Sequence, residues 1–201
     1  MLKKIVAIGP ESTGKSTLCE LLARHFRTAW VPEFAREYLL KLGRPYAYED
    51  LTTIAKGQLD AEDEYALSLL NNADFAPFLS DDLDEKFMFV DTDMYVMKVW
   101  GEFVFDRCPP FVMEQIVSRR YDLYLLCNTD LPWVKDELRE YPDLETRQRL
   151  FYIYKDILVN QSVPWVEISG GSDERLARAV AAVEKVAGPA ARAGGASARR
   201  R

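Results

Sequence analysis

The chain has 201 residues, of which 48% are hydrophobic and 12% aromatic, and its formal net charge is −6. This length favours a single domain with a sizeable core. The acidic balance argues against broad nucleic-acid binding. No apolar window of 18 or more residues predicts a membrane-spanning helix. The N-terminus shows no signal-peptide pattern, so we expect a cytoplasmic protein.

The cysteine pattern also favours a cytoplasmic protein. Cys19, Cys108 and Cys127 are odd in number, lie far apart and form no C-x-x-C pair. Such spacing is typical of reduced thiols and gives neither a disulfide framework nor a zinc site.

The C-terminal segment differs in composition from the rest of the chain. Residues 188–201 read GPAARAGGASARRR and contain four arginines but no acidic residue. A Gly/Ala-rich stretch without apolar periodicity cannot bury a face. We therefore predict one folded domain at 1–187 and a disordered basic tail at 188–201. The tail is either solvated or in contact with an acidic partner.

Five short apolar runs recur along the chain, and longer helical patterns separate them. The runs are 4–8, 28–31, 87–90, 123–127 and 165–168. Near-continuous apolar strands indicate a parallel sheet buried on both faces. The apolar spacing predicts helices at 15–26, 33–42, 49–71, 110–119, 144–160 and 173–187. The predicted fold class is a three-layer α/β/α sandwich with a five-stranded sheet. The acidic stretch 80–86 is predicted to be a solvated connection.

The sequence GPESTGKS follows the first of these strands and precedes the first helix. It fits G-x-x-x-x-G-K-[ST] in the strand–loop–helix context of a phosphate-binding loop. Glycines let the backbone N–H groups converge on a polyphosphate, and the helix N-terminus favours the anion. We expect Lys15 to reach the outer phosphates and the Ser16 hydroxyl to bind Mg²⁺. The predicted triphosphate-binding residues of this loop are Gly9, Glu11, Ser12, Thr13, Gly14, Lys15, Ser16 and Thr17.

Two acids follow the third strand. The sequence FMFVDTD places Asp91 and Asp93 at a carboxyl end of the sheet, where α/β proteins bind ligands. Asp91 is the expected Mg²⁺-side carboxylate, acting directly or through water. The alternative is a surface turn that happens to contain two acids.

The second strand ends in WVPEFAREY, which brings Glu33 and Arg36 to the same edge of the sheet. An i,i+3 ion pair between them is the simplest reading. Their position beside the phosphate loop instead favours a site where an acceptor hydroxyl approaches the γ-phosphate.

The sequence DLPWVKDELRE follows the fourth strand and predicts a short helical lid. A basic residue over the triphosphate stabilises the transferring group and excludes water. Arg139 is our candidate for this role and for triphosphate binding, with Asp136 as its i,i+3 partner. Arg147 and Arg149 are expected to add charge to the lid. A plain amphipathic helix start is the alternative.

Several segments together carry a family resemblance. They are GPESTGKSTL, PEFAREYL, IAKGQ, FVDTD, YDLYLLCNTDLPWVKDELRE and VEISGG, in this order over residues 2–187. The set resembles the ribosylnicotinamide kinase domain of the NadR family, among the AAA-like P-loop ATPases. The resemblance implies a kinase domain at 1–187 that uses ATP and Mg²⁺ to phosphorylate the 5′-hydroxyl of nicotinamide riboside, giving nicotinamide mononucleotide. The sole histidine, His25, cannot supply the H-x-G-H motif of that family's adenylyltransferase module.

The resemblance also suggests which residues bind the phosphoryl acceptor. Expected acceptor-binding residues are Glu33, Arg36, Gln58, Asp93, Trp133 and Asp136. Glu33 and Asp93 compete for the role of general base; Mg²⁺ beside Asp93 would lower its proton affinity, which favours Glu33. A cationic pyridinium favours aromatic faces or carboxylates. Tyr38, Trp100 and Trp133 offer such faces, although each is equally compatible with a core position.

Two other functions fit parts of the sequence. One is a P-loop kinase for another nucleoside or small metabolite. The other is an NTP-hydrolysing switch protein, which more often carries the base-reading motif N-K-x-D. The stretch CNTDLPW lacks the lysine of that motif. The sequence leaves the oligomeric state open.

Overall fold

The computed structural model describes residues 1–71 and 86–187. These residues form five strands and seven helices. The strands are β1 (Leu2–Ile8), β2 (Ala29–Val31), β3 (Lys86–Asp91), β4 (Leu123–Cys127) and β5 (Trp165–Ile168). The helices are α1 (Lys15–Phe26), α2 (Phe34–Leu42), α3 (Tyr48–Asn71), α4 (Met94–Phe105), α5 (Pro110–Ser118), α6 (Leu144–Val159) and α7 (Ser172–Val186).

The strands form one parallel sheet in the order β2-β3-β1-β4-β5. In the central strand, Val6 lies beside Val90 of β3 and Tyr124 of β4. The last four residues of β1 are fully buried, which is why the strand reads as a continuous apolar run. The sheet therefore needs helices on both faces.

Two hydrophobic layers cover the sheet. On one face, α1 and α7 pack through residues such as Leu22 and Val183. On the other face, α3, α4 and α6 contribute Leu69, Val99 and Phe151. A third cluster joins α2, α3, α4 and α5 beside the sheet. The predicted three-layer α/β/α architecture is confirmed.

The predicted element bounds agree with the structure to within one residue, except that β1 begins two residues earlier, at Leu2. Helix α4 was not predicted. Its sequence, MYVMKVWGEFVF, is mostly apolar, and its two charged residues, Lys98 and Glu102, form only a narrow polar stripe. The usable signal was Asp93, a favoured N-cap residue directly before the run. No helix among the described residues is long and apolar enough to span a bilayer. The predicted tail at 188–201 and most of the acidic connection at 80–86 lie outside the described residues; Lys86 is already the first residue of β3.

The lid prediction was wrong in one respect, because residues 131–143 contain no helix. Side chains of the phosphate loop take backbone N–H groups that a helix would use internally. The N–H of Val134 donates to the Ser12 hydroxyl at 3.0 Å. Those of Glu140 and Tyr141 donate to the Glu11 carboxylate. The segment is therefore an irregular strap fixed to the loop, and we refer to residues 131–143 as the lid.

Gly57 of α3 gives a test of the packing behind β2. A Cβ atom at this position would lie 2.3 Å from Cε1 of Phe34. Gly57→Ala gains about 1 kcal/mol of helix propensity, but overpacking costs about 1–3 kcal/mol. We therefore expect a net loss of up to about 2 kcal/mol in the free energy of unfolding, measured by urea denaturation. The exposed Asp60→Ala on the same helix should change it by less than about 0.5 kcal/mol. A Gly57→Ala variant as stable as the parent would contradict this packing.

Candidate active site

A cleft of about 560 Å³ lies at the carboxyl edge of the sheet. The phosphate loop at 9–16, the end of β2 and Asp91 at the end of β3 form its floor. Helix α4 and the lid form its walls. This is the edge at which open parallel sheets bind ligands.

The phosphate loop needs its glycines for two separate reasons. Gly9 has φ +142°, and a Cβ there would lie 2.7 Å from the carbonyl oxygen of Cys127. Gly14 has φ +77°, a left-handed conformation directly before α1. The loop can therefore run close to β4 and then turn sharply into the helix.

The loop presents positive charge to the cleft. The Lys15 ammonium donates to the carbonyl oxygen of Pro10 at 2.9 Å, and the buried Thr13 hydroxyl donates to the same oxygen at 2.7 Å. Ser16 and Thr17 are exposed on the first turn of α1 and line the cleft. Free N–H groups of a helix start and a lysine together make an anion site. All eight predicted loop residues line this cleft.

Asp91 lies on the cleft floor and is fully buried. Neither of its carboxylate oxygens has a hydrogen-bond partner among the described residues. Burial and the Glu33 carboxylate raise the pKa of Asp91 to about 6, against the opposing effects of Lys15 and the Ser16 hydroxyl. A buried, unpartnered carboxylate beside a hydroxyl is the donor set that a hard cation such as Mg²⁺ requires. The residues present therefore fit the metal.

Glu33 stands at the end of β2, directly before α2. Its side chain is partly exposed, lines the cleft and caps no backbone group of the helix. Its effect on Asp91 shows that the two carboxylates are close enough to interact. The structure thus places the Glu33 carboxylate and the predicted metal ligand, Asp91, in the same cleft.

Asp93 follows the carboxyl end of β3, as predicted, but its side chain is buried. It is 2% exposed and does not line the cleft. Its Oδ1 accepts from the N–H groups of Tyr95 and Val96, and its Oδ2 accepts from the Tyr124 hydroxyl at 3.0 Å. Burial raises the pKa of Asp93 to about 7. Oδ1 therefore caps α4 and Oδ2 is bound to Tyr124 of β4, so the expected acceptor contact is corrected to a structural one.

Gln58 also lies behind the cleft instead of in it. It is 1% exposed, and its Oε1 accepts from the N–H of Phe34 at 2.8 Å. Its amide nitrogen donates to the carbonyl oxygens of Pro32 and Asp91, both at 3.4 Å. Gln58 therefore ties the chain on either side of Glu33 to the end of β3. It braces the two acids and does not line the cleft.

Glu11 holds the lid against the phosphate loop. Its carboxylate accepts from the Trp133 indole N–H at 3.0 Å and from the backbone N–H groups of Glu140 and Tyr141 at 2.9 and 2.7 Å. Trp133, for which core packing and ring stacking were both open, uses its indole for this contact and does not line the cleft. The three donors fix both ends of the lid to one side chain.

An ion pair holds the lid to helix α2. The Arg36 guanidinium donates to both carboxylate oxygens of Asp136, at 3.3 and 2.8 Å. The predicted Asp136–Arg139 side-chain pair is therefore wrong, as is the local Glu33–Arg36 pair. The Arg139 guanidinium instead donates to the carbonyl oxygen of Val134 and lines the cleft. It is free of any carboxylate partner among the described ion pairs.

The other two predicted lid arginines differ from each other. Arg147 is only 2% exposed and donates to the carbonyl oxygens of Leu131 and Ser12, at 3.2 and 3.5 Å. Burial lowers its pKa. The Arg149 guanidinium lies 5.6 Å from the ring centre of Phe103. Arg147 thus supports the phosphate loop from beneath the lid, whereas Arg149 packs on α4.

An aromatic wall completes the cleft. The Trp100 indole donates to the Tyr46 hydroxyl at 3.2 Å, and that hydroxyl donates to the Glu140 carboxylate at 2.9 Å. The sequence reading missed Tyr46, which belongs to no motif, and Glu140, which is the last residue of DLPWVKDELRE but was given no role. Tyr38 donates instead to Asp50 at 2.7 Å and does not line the cleft. Of the three predicted aromatic residues, only Trp100 faces the cleft.

Residues 4–175 match the family described as an AAA domain. The chain belongs to this AAA-domain family. Similar curated proteins are the trifunctional NAD biosynthesis/regulator proteins NadR of Salmonella typhimurium and of Escherichia coli, each 28% identical over 192 residues. The alignments cover 93% of this chain and 43% of each relative, so the chain spans less than half the length of these proteins.

Solved structures establish the P-loop kinase fold for this AAA-domain chain. A NadR protein in complex with NR gives a TM-score of 0.67 at 23% identity and covers 92% of this chain and 51% of that one. A NadR protein in complex with NAD and AMP-PNP gives 0.63 at 22% identity, over 92% and 49%. Thymidylate kinase from Ehrlichia chaffeensis gives 0.56 at 13% identity, over 90% and 98%.

The buried carboxylate of this AAA-domain protein has a stability cost that can be measured. Its folded-state pKa of about 6 lies above the unfolded value of about 3.9, so the contribution of Asp91 to stability falls as pH rises from about 4 to about 6. Asp91→Asn removes this loss. In the absence of nucleotide and Mg²⁺, we expect the variant to have a higher Tm than wild type. Its gain in the free energy of unfolding should grow from about pH 4 to about pH 6 and reach at most about 3 kcal/mol above that range.

Calorimetry from pH 4 to pH 8 checks this expectation. The exposed Asp60→Asn is the control and should show no such pH-dependent gain. The same Asp91→Asn variant should lose Mg²⁺-dependent nucleotide binding, because an amide cannot replace the charge of the carboxylate. A variant less stable than wild type above pH 6 would contradict the desolvation argument.

Proposed function

We propose that this chain is an ATP-dependent kinase that phosphorylates the 5′-hydroxyl of nicotinamide riboside, giving nicotinamide mononucleotide. One observation carries the proposal: a phosphate loop, a buried unpartnered Asp91 and a free Glu33 face one cleft beneath an arginine-bearing lid. The similar NadR proteins are NAD biosynthesis proteins, and one NadR structure contains NR. These likenesses support the choice of acceptor.

On the donor side, the backbone N–H groups at the start of α1 and the Lys15 ammonium bind the phosphates of ATP. Lys15 then exchanges its contact with Pro10 for the outer phosphates. The Ser16 hydroxyl and the Asp91 carboxylate would hold Mg²⁺, which would supply positive charge to the phosphates.

On the acceptor side, Glu33 is the general base. It lies on the β2 side of the phosphate loop, where an acceptor hydroxyl approaches the γ-phosphorus in line. The hydroxyl oxygen forms a bond to phosphorus as its proton passes to Glu33, and the bond to the β-phosphate oxygen breaks to release ADP. Gln58 keeps Glu33 in place by fixing Pro32 and Phe34 on either side of it.

The lid and the aromatic wall complete the proposed site. Arg139 has no carboxylate partner among the described residues, so its charge is available to the transferring phosphoryl group. A cationic pyridinium would be held by the Trp100 and Tyr46 rings and by the Glu140 carboxylate that closes this wall. A neutral base gains less from the same surroundings. The proposed wall thus favours a positively charged nucleoside.

The test is an assay of ADP formation with Mg·ATP and a panel of acceptors: nicotinamide riboside, its reduced neutral form, adenosine, thymidine and thymidine monophosphate. We expect ADP and nicotinamide mononucleotide in equal amounts with nicotinamide riboside, and little ADP without it. Lys15→Ala serves as the inactive control. Turnover with a different acceptor alone would overturn the substrate assignment. Turnover that needs no acceptor would favour the switch protein.

The assignment of the base gives a paired prediction. Glu33→Gln keeps size and hydrogen bonding but removes basicity, so kcat should fall about 10²- to 10⁴-fold while the affinity for ATP stays nearly unchanged. Asp93→Asn keeps an acceptor for the α4 N-cap, so kcat should stay within about threefold of wild type. Steady-state kinetics with both substrates measures these values. Glu37→Gln, one turn along α2 and exposed, is the matched control. A larger kcat loss in Asp93→Asn than in Glu33→Gln would reverse the assignment.

Arg139 gives a second kinetic prediction. A lid arginine meets charge that develops in the transition state, so Arg139→Ala should lower kcat by about 10²-fold and raise KM for ATP much less. Lys135→Ala, also on the exposed surface of the lid, should leave kcat unchanged. If kcat is unchanged in Arg139→Ala, the arginine is only a surface residue of the lid.

A further inference from the structure

A buried arginine on α7 joins three loops. Arg175 is 4% exposed. Its Nη1 donates to the carbonyl oxygen of Thr13 at 3.0 Å, and its Nε donates to that of Gly170 at 2.8 Å. Its Nη2 donates to the carbonyl oxygen of Asn128 at 3.0 Å and to the carboxylate of Asp130. No sequence motif marked this residue.

The contact with Thr13 determines how one peptide group of the phosphate loop is oriented. In a trans peptide the carbonyl oxygen and the following N–H point in opposite directions. Arg175 holds the Thr13 carbonyl toward α7. The N–H of Gly14, in the same peptide group, therefore points away from α7, and Gly14 forms part of the cleft wall. The arginine thus sets the direction of an N–H group that lies where an anion binds.

The remaining contacts make the guanidinium a rigid reference point. Asn128 directly follows β4, and Gly170 lies in the loop between β5 and α7. Asp130 joins these two loops, since its Oδ2 accepts from the N–H of Gly170 at 2.6 Å while the other oxygen pairs with Arg175. The Thr13 carbonyl is therefore tied to the ends of two strands of the sheet.

We propose that Arg175 is a positioning residue for nucleotide binding: it orients the Thr13–Gly14 peptide so that the Gly14 N–H faces the phosphates of the donor. The inference rests on the proposed function only in taking a nucleoside triphosphate as the ligand of the loop. Arginine suits the task because its planar fork reaches several carbonyl oxygens at once. A lysine ammonium at this position keeps the charge but cannot span all three loops.

The experiment compares Arg175→Gln, Arg175→Lys and Arg178→Gln. Arg178 is exposed on the same helix, so its variant is matched for loss of charge. The dissociation constant for Mg·ATP is measured by calorimetric titration, alongside KM for the acceptor and Tm. We expect the Mg·ATP dissociation constant to rise about 10- to 100-fold in both Arg175 variants, the effect of losing a charge-assisted hydrogen bond. Acceptor KM should change less than about twofold, and Arg178→Gln should match wild type.

A purely structural arginine predicts a different result. It would lower Tm and the fraction of folded protein but leave the dissociation constant of the folded molecules unchanged. That outcome in Arg175→Lys, which retains the pairing with Asp130, would overturn the proposal even if Arg175→Gln fails to fold. In Arg175→Ala, millimolar methylguanidinium should restore Mg·ATP affinity, whereas methylammonium should not. Equal rescue by both ions would also overturn the proposal.

The binding measurement needs no acceptor, so it separates this inference from the proposed function. A chain that binds Mg·ATP in an Arg175-dependent way but leaves nicotinamide riboside unphosphorylated would retain the positioning role and lose the proposed reaction. If the chain phosphorylates nicotinamide riboside but the Arg175 variants bind Mg·ATP as tightly as wild type, the proposed reaction is retained and the positioning role is lost.

Discussion

A loop that directs its N–H groups at an anion must direct several carbonyl oxygens the other way, and each of these needs a donor. The phosphate loop obtains its donors from distant parts of the chain. The Pro10 carbonyl is met within the loop by Thr13 and Lys15, but the Ser12 and Thr13 carbonyls are met by arginines of α6 and α7. The shape of an eight-residue motif therefore depends on helices more than 130 residues away in the sequence.

The same region carries an energetic cost in the absence of ligands. Asp91 is buried with both oxygens unpartnered and with another carboxylate close by. An ionised group in this position opposes folding until a cation compensates it. Asp93, two residues later, is just as buried but has three hydrogen-bond donors. The two neighbouring acids thus have different roles. Asp93 stabilises the start of α4, whereas Asp91 remains able to bind a cation at the expense of stability.

Local patterns made most of the fold and half of the site predictable from sequence. Strand and helix periodicity set nearly every boundary, and the phosphate loop and Asp91 follow from spacing within one strand–loop–helix unit. What failed depended on partners remote in sequence. Asp136 pairs with Arg36, 100 residues away, instead of with Arg139, three residues away. The lid is not helical because Glu11 and Ser12 take its N–H groups. Helix α4 has only a narrow polar stripe, formed by Lys98 and Glu102, and its apolar run was not recognised as a helix.

The lid is held unequally at its two sides, which bears on how the cleft opens. The Arg36–Asp136 pair is 49% and 19% exposed, and an exposed ion pair contributes at most about 1 kcal/mol. On the other side, Glu11 accepts three N–H donors and Ser12 a fourth, with the buried Arg147 fixing the Leu131 carbonyl behind them. The Tyr46–Glu140 hydrogen bond is a second, exposed contact on the α2 side. Separating the lid from α2 therefore costs less than separating it from the phosphate loop. Because Glu33 and the aromatic wall lie on the α2 side, the easier opening exposes that part of the cleft, while the phosphate loop stays covered.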